Sequence, residues 1–259
     1  MSVEDEMTEH PDRGSQTCEL SVIIVNYNVR DLLSNAVSSV RAALEGIDGE
    51  IIVVDNASSD GAVAMLERDH PDVRAIGLDR NLGFGGGNNV GIDVAQGEFI
   101  LFLNPDTIVS EETFAVMLAF MRGNPKAGAA GCRVINDDGR PDPAARRGFP
   151  SPWSAFCRIV GLSKLFPRSR LFGRYNMTWI DDGESVEIEA LTGAFMFFRA
   201  ATIREIGGFD TDFFMYGEDL DLCRRAEQAG WEIWYHPETH IVHLQGESTE
   251  RSGLDTVEM

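Results

Sequence analysis

A chain of 259 residues with 43% hydrophobic content can bury a substantial core, as one large domain or two small ones. No apolar run approaches the roughly 20 residues that a membrane span needs, and a net charge of −20 excludes a general nucleic-acid binder, which needs a basic face. Cys18, Cys132, Cys157 and Cys223 are scattered without a CxxC pair, which argues against a zinc finger or disulfide framework and for reduced structural thiols. Lys126 and Lys164 are the only lysines; so acidic a surface suits a salt-rich solvent that screens self-repulsion, and equally arises by compositional drift.

The opening MSVEDEMTEHPDRGSQ is polar and lacks the apolar centre of a secretory signal. Residues 1–18 are expected as a disordered lead-in, and cytoplasmic residence as the default. LSVIIVN (20–26) is a short, β-branched apolar run and predicts a buried strand. Residues 30–45 place Leu32, Leu33, Ala36, Val37, Val40 and Leu44 at a helical period. EIIVVDN (50–56) predicts a second strand, SSDGAVAMLERD a capped helix, residues 73–78 a third strand and GEFILFLN (97–104) a fourth. This alternation predicts βαβ units and a mostly parallel sheet. Right-handed crossovers then bring Asn26 to Asn28, Asp55 to Asn56 and Asn104 to Asp106 to one edge, where α/β sheets keep their ligands. Residues 137–185 lack clean periodicity. A strand is predicted over 187–200, a helix over 217–230 with acids in its first turn, and short closing strands at WEIWYHP and THIVHL.

Four stretches carry chemistry. In VDNASSDG (54–61), Asp55 and Asp60 make either an Asx turn with a helix cap or, for Asp55, an acceptor for a base imide N–H. RNLGFGGGNNVGI (80–92) is a glycine-rich loop opening a helix whose N-terminus can receive an anion, yet it is neither a GxxxxGK[ST] loop nor a dinucleotide fingerprint. Asn104-Pro105-Asp106 offers one carboxylate and one neutral oxygen, which suits Mg²⁺ or Mn²⁺ completed by phosphate oxygens; a Pro-Asp turn is the alternative. GFDTDFFMYGEDLDLCRR (208–225) clusters Asp210, Asp212, Glu218, Asp219 and Asp221 behind Gly207-Gly208 and an aromatic run. It is either an ordinary acidic helix start or a general base kept ionised by the helix dipole. Of His236, His240 and His243, the last precedes a polar turn and can reach a site from a strand end.

In this order and spacing, SVIIVNYN, VDNASSDG, NLGFGGGNNVGI, FLNPD, LTGAFMFFR, GGFDTDFFMYGEDLDLCRRAEQAGW and HIVHLQGES resemble a family-2 glycosyltransferase. The resemblance covers about residues 20–247 and is closest to the rhamnosyltransferase-like branch of cell-surface polysaccharide synthesis. It implies an α/β GT-A fold: a Rossmann-like nucleotide-binding sheet, mostly parallel, helices on both faces, and a C-terminal acceptor-side subregion. One domain is expected over 19–247, with a nucleotide-sugar half (19–136), an acceptor half (137–247) and a loose tail (248–259). By the same resemblance Asp55, near Asn26 and Asn28, holds the nucleobase, with Tyr27, Ser58, Asn81, Gly83, Asn88 and Asn104 on the nucleotide-sugar side. Asp106 matches the metal carboxylate of the family's DxD motif, although Asn104 stands where many members have Asp, and His243 matches a histidine that completes metal binding. Asp219 matches the catalytic base with Glu218 beside it, and Gly193, Tyr216 and Trp153 fall on the acceptor side. The QxxRW motif of processive synthases is absent, which points to one sugar per encounter.

The implied reaction moves a sugar from a nucleotide-diphosphate donor (dTDP-rhamnose or a UDP-sugar) to a hydroxyl of a glycan or polyprenyl-diphosphate-linked acceptor. A divalent cation, Mg²⁺ or Mn²⁺, stabilises the leaving diphosphate, and one carboxylate takes the acceptor's proton. A single base without a nucleophile gives inversion. A nucleotidyltransferase would carry a GxGTR-like loop, which SVIIVNYN lacks, and an inactive sugar-nucleotide-binding module would be signalled by loss of Asp106 or Asp219, both present. Residues 140–174 hold eight Arg or Lys against one Asp, interleaved with aromatic and aliphatic side chains. Such a segment suits an anionic membrane surface on the cytoplasmic side, with Arg146, Arg147, Arg158, Lys164, Arg168 and Arg170 toward lipid. The alternative is a lid whose arginines pair with donor phosphates or the acidic body.

Overall fold

A computed structural model describes residues 18–166, 168–181 and 183–244. The expected tail lies outside these residues, as does the lead-in except for Cys18, which already opens the first strand.

The first half alternates as its periodicity demands: β1 (Cys18–Asn26), α1 (Arg30–Ala43), β2 (Gly49–Asp55), α2 (Ala62–Asp69), β3 (Arg74–Gly77), α3 (Gly83–Val94) and β4 (Gly97–Leu103). Ile23, Ile52 and Phe102 sit in register across the parallel pairs β2–β1–β4 and are fully buried. Parallel strands covered on both faces are continuous apolar runs for this reason. α1 buries Leu32, Leu33, Ala36, Val37 and Val40, the stripe expected from their spacing. The order β3-β2-β1-β4 makes the chain wind one way from β1 and return on its other side. A crevice therefore opens beyond the carboxyl ends of β1 and β4.

Residues 105–136, unassigned from sequence, form β5 (Thr107–Val109), α4 (Thr113–Gly123) and β6 (Ala127–Asn136). The buried Phe114, Met117, Leu118 and Met121 of α4 have the spacing of one helix face. Among its described residues the segment without periodicity holds a 3-10 helix (Pro143–Ala145) and two short α-helices, α5 (Pro152–Ile159) and α6 (Leu162–Leu165), too brief to show a pattern; Ser151 and Ser154 form a capping box on α5. The single strand expected over 187–200 is two, β7 (Val186–Ile188) and β8 (Phe195–Arg199), because residues 191–193 turn away to the site and α7 (Ala200–Ile206) begins at once. After α8 (Glu218–Gln228), the two closing strands expected are one, β9 (Glu232–His243). Its register against β6 jumps from Gly131↔Tyr235 to Arg133↔His240, a bulge that absorbs Pro237.

The nine strands of the described residues make one sheet, β3-β2-β1-β4-β8-β6-β9-β5, with β7 also on β9. The parallel half runs from β3 to β4; β8 then enters antiparallel to β4, pairing Leu101 with Phe197 and Leu103 with Phe195. Fully buried Phe99, Phe102, Phe195, Phe197 and Phe198 weld the halves, each worth about 1.5–3 kcal/mol of burial. Among the described residues no helix is long and apolar enough to cross a membrane.

Candidate active site

Beyond the ends of β1 and β4 lies a cavity of about 510 Å³ walled by both halves of the chain. Val25, Tyr27, Val29, Asn56, Asn81, Gly83 and Phe84 line one side; Asn104, Pro105 and His243 the floor; Arg147, Tyr175, Thr192, Gly193 and the turn from Met215 to Leu220 the other.

The β1 and β2 ends are tied to each other. Asn26 Nδ2 donates to Asp55 Oδ1 (2.7 Å) and Ser58 Oγ (3.1 Å); Asp55 Oδ2 accepts from Ser58 N (2.9 Å), and Ser58 Oγ from Asn28 N (2.9 Å). Asn28, at φ 56, and Ala57, at φ 62, take the left-handed turns this requires. Asp55 and Asn26 are thereby buried inside the wall, and Tyr27 and Asn56 are what the cavity sees. Asn56, placed at this edge by the sequence but given no role of its own there, accepts from Leu82 N (3.3 Å) and donates to Gly83 O (3.0 Å), fastening the glycine-rich loop.

The glycines of that loop serve close packing. A Cβ at Gly91 would stand 2.5 Å from Ile23 Cγ2, and one at Gly83 (φ 75) would stand 2.2 Å from Phe214 O. The Phe84 N–H at the start of α3 is taken by that same Phe214 carbonyl (3.3 Å), so this amide is not offered to an anion. Asn81 Oδ1 caps Gly83 N (2.8 Å) at the cavity edge. Asn88 lies deeper, donating to Phe84 O (3.0 Å) within the helix, away from the cavity lining. Asn89 clamps Phe209 by both its N–H and its C=O (2.8 Å each), and Arg225 holds Ile206 O and Gly208 O (2.9 Å each). These two residues shape the loop before α8. Its tightness shows at Gly208, where a Cβ would fall 2.2 Å from Asn89 Oδ1, and at Tyr216, left-handed at φ 67 and lining the cavity.

At the floor, the β5–β9 pairing sets Thr107 opposite His243. His243 Nε2 lies 3.2 Å from buried Asp106 Oδ1 and 3.5 Å from Asn104 Nδ2. His243 Nδ1 is buried without a hydrogen-bond partner. One carboxylate, one imidazole and one side-chain amide fit a divalent cation that draws its remaining ligands from phosphate and water. Among the described residues no cluster of three His, Cys, Asp or Glu exists, so such a centre depends on the incoming ligand.

Glu218 and Asp219 begin α8 behind Gly217 (φ 99). Asp221 turns away to Arg225 (2.7 Å). Glu218 Oε2 is buried and unpartnered, and burial pushes this carboxyl up to about 7; Asp219 adds to the rise, while a backbone hydrogen bond and Arg147 oppose it. Asp219 Oδ1 accepts from Leu220 N (2.8 Å), and Oδ2 from Gly193 N (3.2 Å) and the Arg147 guanidinium. Of the two readings of the basic segment, toward lipid or paired with phosphates or the acidic body, Arg147 follows the second: it is turned inward because its backbone N–H and C=O both bridge to Ala190 (3.1 and 2.9 Å). Asp219 holds its guanidinium charged against the cost of burial. Arg146, also read toward lipid, is half-buried, donating to Asp181 O (3.3 Å) and stacking over the buried Tyr235 ring. Trp153 also departs from expectation: it is 43% exposed on α5, donates to Leu171 O (3.0 Å), and is not part of the cavity lining.

Comparison with known proteins decides the lineage. The family model described as "Glycosyl transferase family 2" matches residues 21–201. The chain belongs to glycosyl transferase family 2. Among its family relatives, an N-acetylglucosaminyl-diphospho-decaprenol L-rhamnosyltransferase of Mycobacterium tuberculosis is 28% identical over 90% of this chain and 78% of its own length. Rhamnosyltransferase WbbL of Escherichia coli is 26% identical over 86% and 82%. The low-salt glycan biosynthesis hexosyltransferase Agl10 of Haloferax volcanii is 27% identical over 88% and 67%. Among solved structures, S. aureus TarS 1-349 superposes with a TM-score of 0.59 at 18% identity, over 90% of this chain and 63% of that one. GalNAc-T7 with UDP, GalNAc and Mn²⁺ gives 0.61 at 17%, over 88% and 44%. The chain thus spans about three fifths or less of these solved chains, and the likeness establishes the GT-A fold of this family-2 glycosyltransferase.

Proposed function

We propose that this glycosyltransferase moves one sugar, with inversion, from a nucleotide-diphosphate sugar to a hydroxyl of a polyprenyl-diphosphate-linked or glycan acceptor, in the assembly of a cell-surface polysaccharide. The observation that carries the reading is the meeting of Asp219, Asn104 and His243 on one cavity at the switch point of the sheet. Asp219 takes the acceptor's proton. Glu218, neutral below about pH 7, spares it a second negative charge. Gly193 N orients the Asp219 carboxylate from the acceptor side, where Tyr216 forms the rim. Tyr27, Asn56, Asn81 and Gly83 form the nucleotide wall, and Asp55, Asn26, Asn28 and Ser58 hold that wall from behind. Asp106 and His243, with the Asn104 amide, would hold Mg²⁺ or Mn²⁺. When bound, such a cation supplies charge stabilisation to the leaving diphosphate. The rhamnosyltransferase names of two relatives support dTDP-rhamnose as donor, the UDP bound to solved neighbours supports a UDP-sugar, and the decaprenol-linked acceptor named for one relative supports a lipid diphosphate.

A lipid-linked acceptor agrees with the surface. The exposed large hydrophobic side chains among the described residues fall in two segments, 153–171 and 213–216, with Ile159 84% and Leu165 70% exposed. Both adjoin the cavity: Met215 and Tyr216 line it, and Arg158 of α5 stacks over the ring of Tyr175, which lines it too. Exposed Arg158, Lys164, Arg168 and Arg170 accompany the apolar side chains, as in a segment resting on anionic lipid at the cytoplasmic face. The test of function is nucleotide release from UDP-, dTDP- and GDP-sugars with a polyprenyl-diphosphate-sugar acceptor. Asp219→Asn is expected to lose roughly 10²-fold or more in turnover, the scale of a lost general base, with donor binding kept. Wild-type turnover in this variant overturns the assignment.

A further inference from the structure

The pairing of Arg147 with Asp219 poses a chemical problem for the reading of Asp219 as base, and the inference rests on that reading. A carboxylate oxygen has two lone pairs in plane. Both on Asp219 Oδ2 are engaged, by the Arg147 guanidinium and the Gly193 N–H, and Oδ1 already accepts from Leu220 N. Arg147 and Gly193 both line the cavity, so Oδ2 is the oxygen turned toward it. An acceptor hydroxyl arriving there meets an occupied atom. Asp219 becomes available only if Arg147 lets go, and Gly193 N then still orients it.

Arg147 is built to change partners. Its Nη2 is shared between Asp219 and the Leu191 carbonyl, while its Nε is buried without any hydrogen-bond partner. A guanidinium has five donors in a rigid fork, and here the fork is not satisfied. The backbone cannot follow a large motion, because the bridge to Ala190 pins it; the side chain alone can swing. Tyr175 stands beside it on the cavity wall. What draws a guanidinium from a carboxylate is an oxyanion that offers two acceptors at once, and a diphosphate does so.

We propose that Arg147 is a diphosphate-responsive positioning residue. In this structure the guanidinium covers Asp219; when a diphosphate group enters, the guanidinium moves onto it and uncovers the base. The acceptor oxygen then attacks the anomeric carbon as its proton passes to Asp219. The bond from that carbon to the donor's diphosphate oxygen breaks, and its electron pair leaves with the diphosphate. Asp219 is thus covered against water until the charged ligand is seated. The diphosphate can belong to the donor nucleotide or to the lipid-linked acceptor, and the two make separate arms of the test.

Wild type, Arg147→Gln and Arg147→Lys are compared by calorimetry with UDP, with dTDP and with geranyl diphosphate as acceptor mimic; geraniol is the uncharged control. One of the diphosphates is expected to weaken about 10- to 100-fold in Arg147→Gln, the worth of a charge-assisted hydrogen bond, with partial recovery in Arg147→Lys and no change for geraniol. Weakening confined to geranyl diphosphate assigns the residue to the acceptor, and weakening confined to UDP or dTDP to the donor. Donor hydrolysis without acceptor is expected to rise several-fold in Arg147→Gln, since water reaches the uncovered base, and to vanish when Asp219→Asn is added. Unchanged affinity for every diphosphate, or hydrolysis that falls in step with transfer, overturns the proposal. Failure of wild type to transfer from any sugar donor instead strikes the functional reading, and the binding arms still decide Arg147. Arg147→Lys keeps a charge at the pair and serves as the binding variant if Arg147→Gln does not fold.

Discussion

Replacing Glu218 by Gln should flatten the pH dependence of stability between pH 5 and 8. Glu218 is 6% exposed with Oε2 buried and unpartnered, so burial penalises its charged form and raises the carboxyl from 4.5 to about 7. The folded protein therefore binds this proton more tightly than the unfolded chain does. The stabilisation is fully present below about pH 4.5 and is lost as pH rises through about 7. At about 1.4 kcal/mol per tenfold change in proton affinity, the gap is worth about 3 kcal/mol. Asp219 and Arg147 act on Glu218 with opposite sign, so the burial cost leads. Gln keeps the shape and the neutral amide at every pH. Urea midpoints at pH 5, 6, 7 and 8 should fall for wild type relative to Glu218→Gln, with most of the divergence between pH 5 and 7. Parallel curves for the two proteins would refute the assignment of a buried, uncompensated carboxyl.

Activity is expected to require Mg²⁺ or Mn²⁺ and to fall on Asp106→Ala, which removes the carboxylate beside His243; full turnover in excess EDTA contradicts this. Gly91→Ala gains about 1 kcal/mol in helix propensity, yet its Cβ would meet the fully buried Ile23 at 2.5 Å. Overpacking at about 1–3 kcal/mol should win, so a lowered denaturation midpoint is expected, whereas Gly123→Ala, with nothing within 4 Å, should not lower it. Wild type should pellet with anionic liposomes in a salt-sensitive way, and replacement of Arg158, Lys164, Arg168 and Arg170 by Gln should abolish it. Equal pelleting of both proteins removes the lipid role of this segment. Arg147 is left out of that set because it faces Asp219, and Arg146 because it packs on Tyr235 and donates to Asp181 O.

Local periodicity alone determined the parallel half of the sheet, the α1 stripe and the polar strand ends that rim the cavity, because burial on one or both faces writes itself into every third, fourth or neighbouring residue. The family resemblance, not periodicity, assigned Asp106, His243, Asp219 and Glu218 their roles; in the structure Glu218, Asp219 and His243 line the cavity and Asp106 lies buried against His243. Only the tertiary structure decided what those residues touch. The break of the predicted 187–200 strand at residues 191–193 brings Gly193 N to Asp219, and the Arg147–Ala190 bridge turns Arg147 inward while Arg158, Lys164, Arg168 and Arg170 of the same basic run stay exposed. Asp55 and Asn88 read as ligand-facing and lie within the wall and helix, where Asp55 holds Asn26 Nδ2 and Ser58 N and Asn88 Nδ2 holds Phe84 O. The physical reason is range: a hydrophobic period is set by neighbours along the chain, whereas an ion pair or a backbone bridge is set by segments that meet only after the sheet has closed.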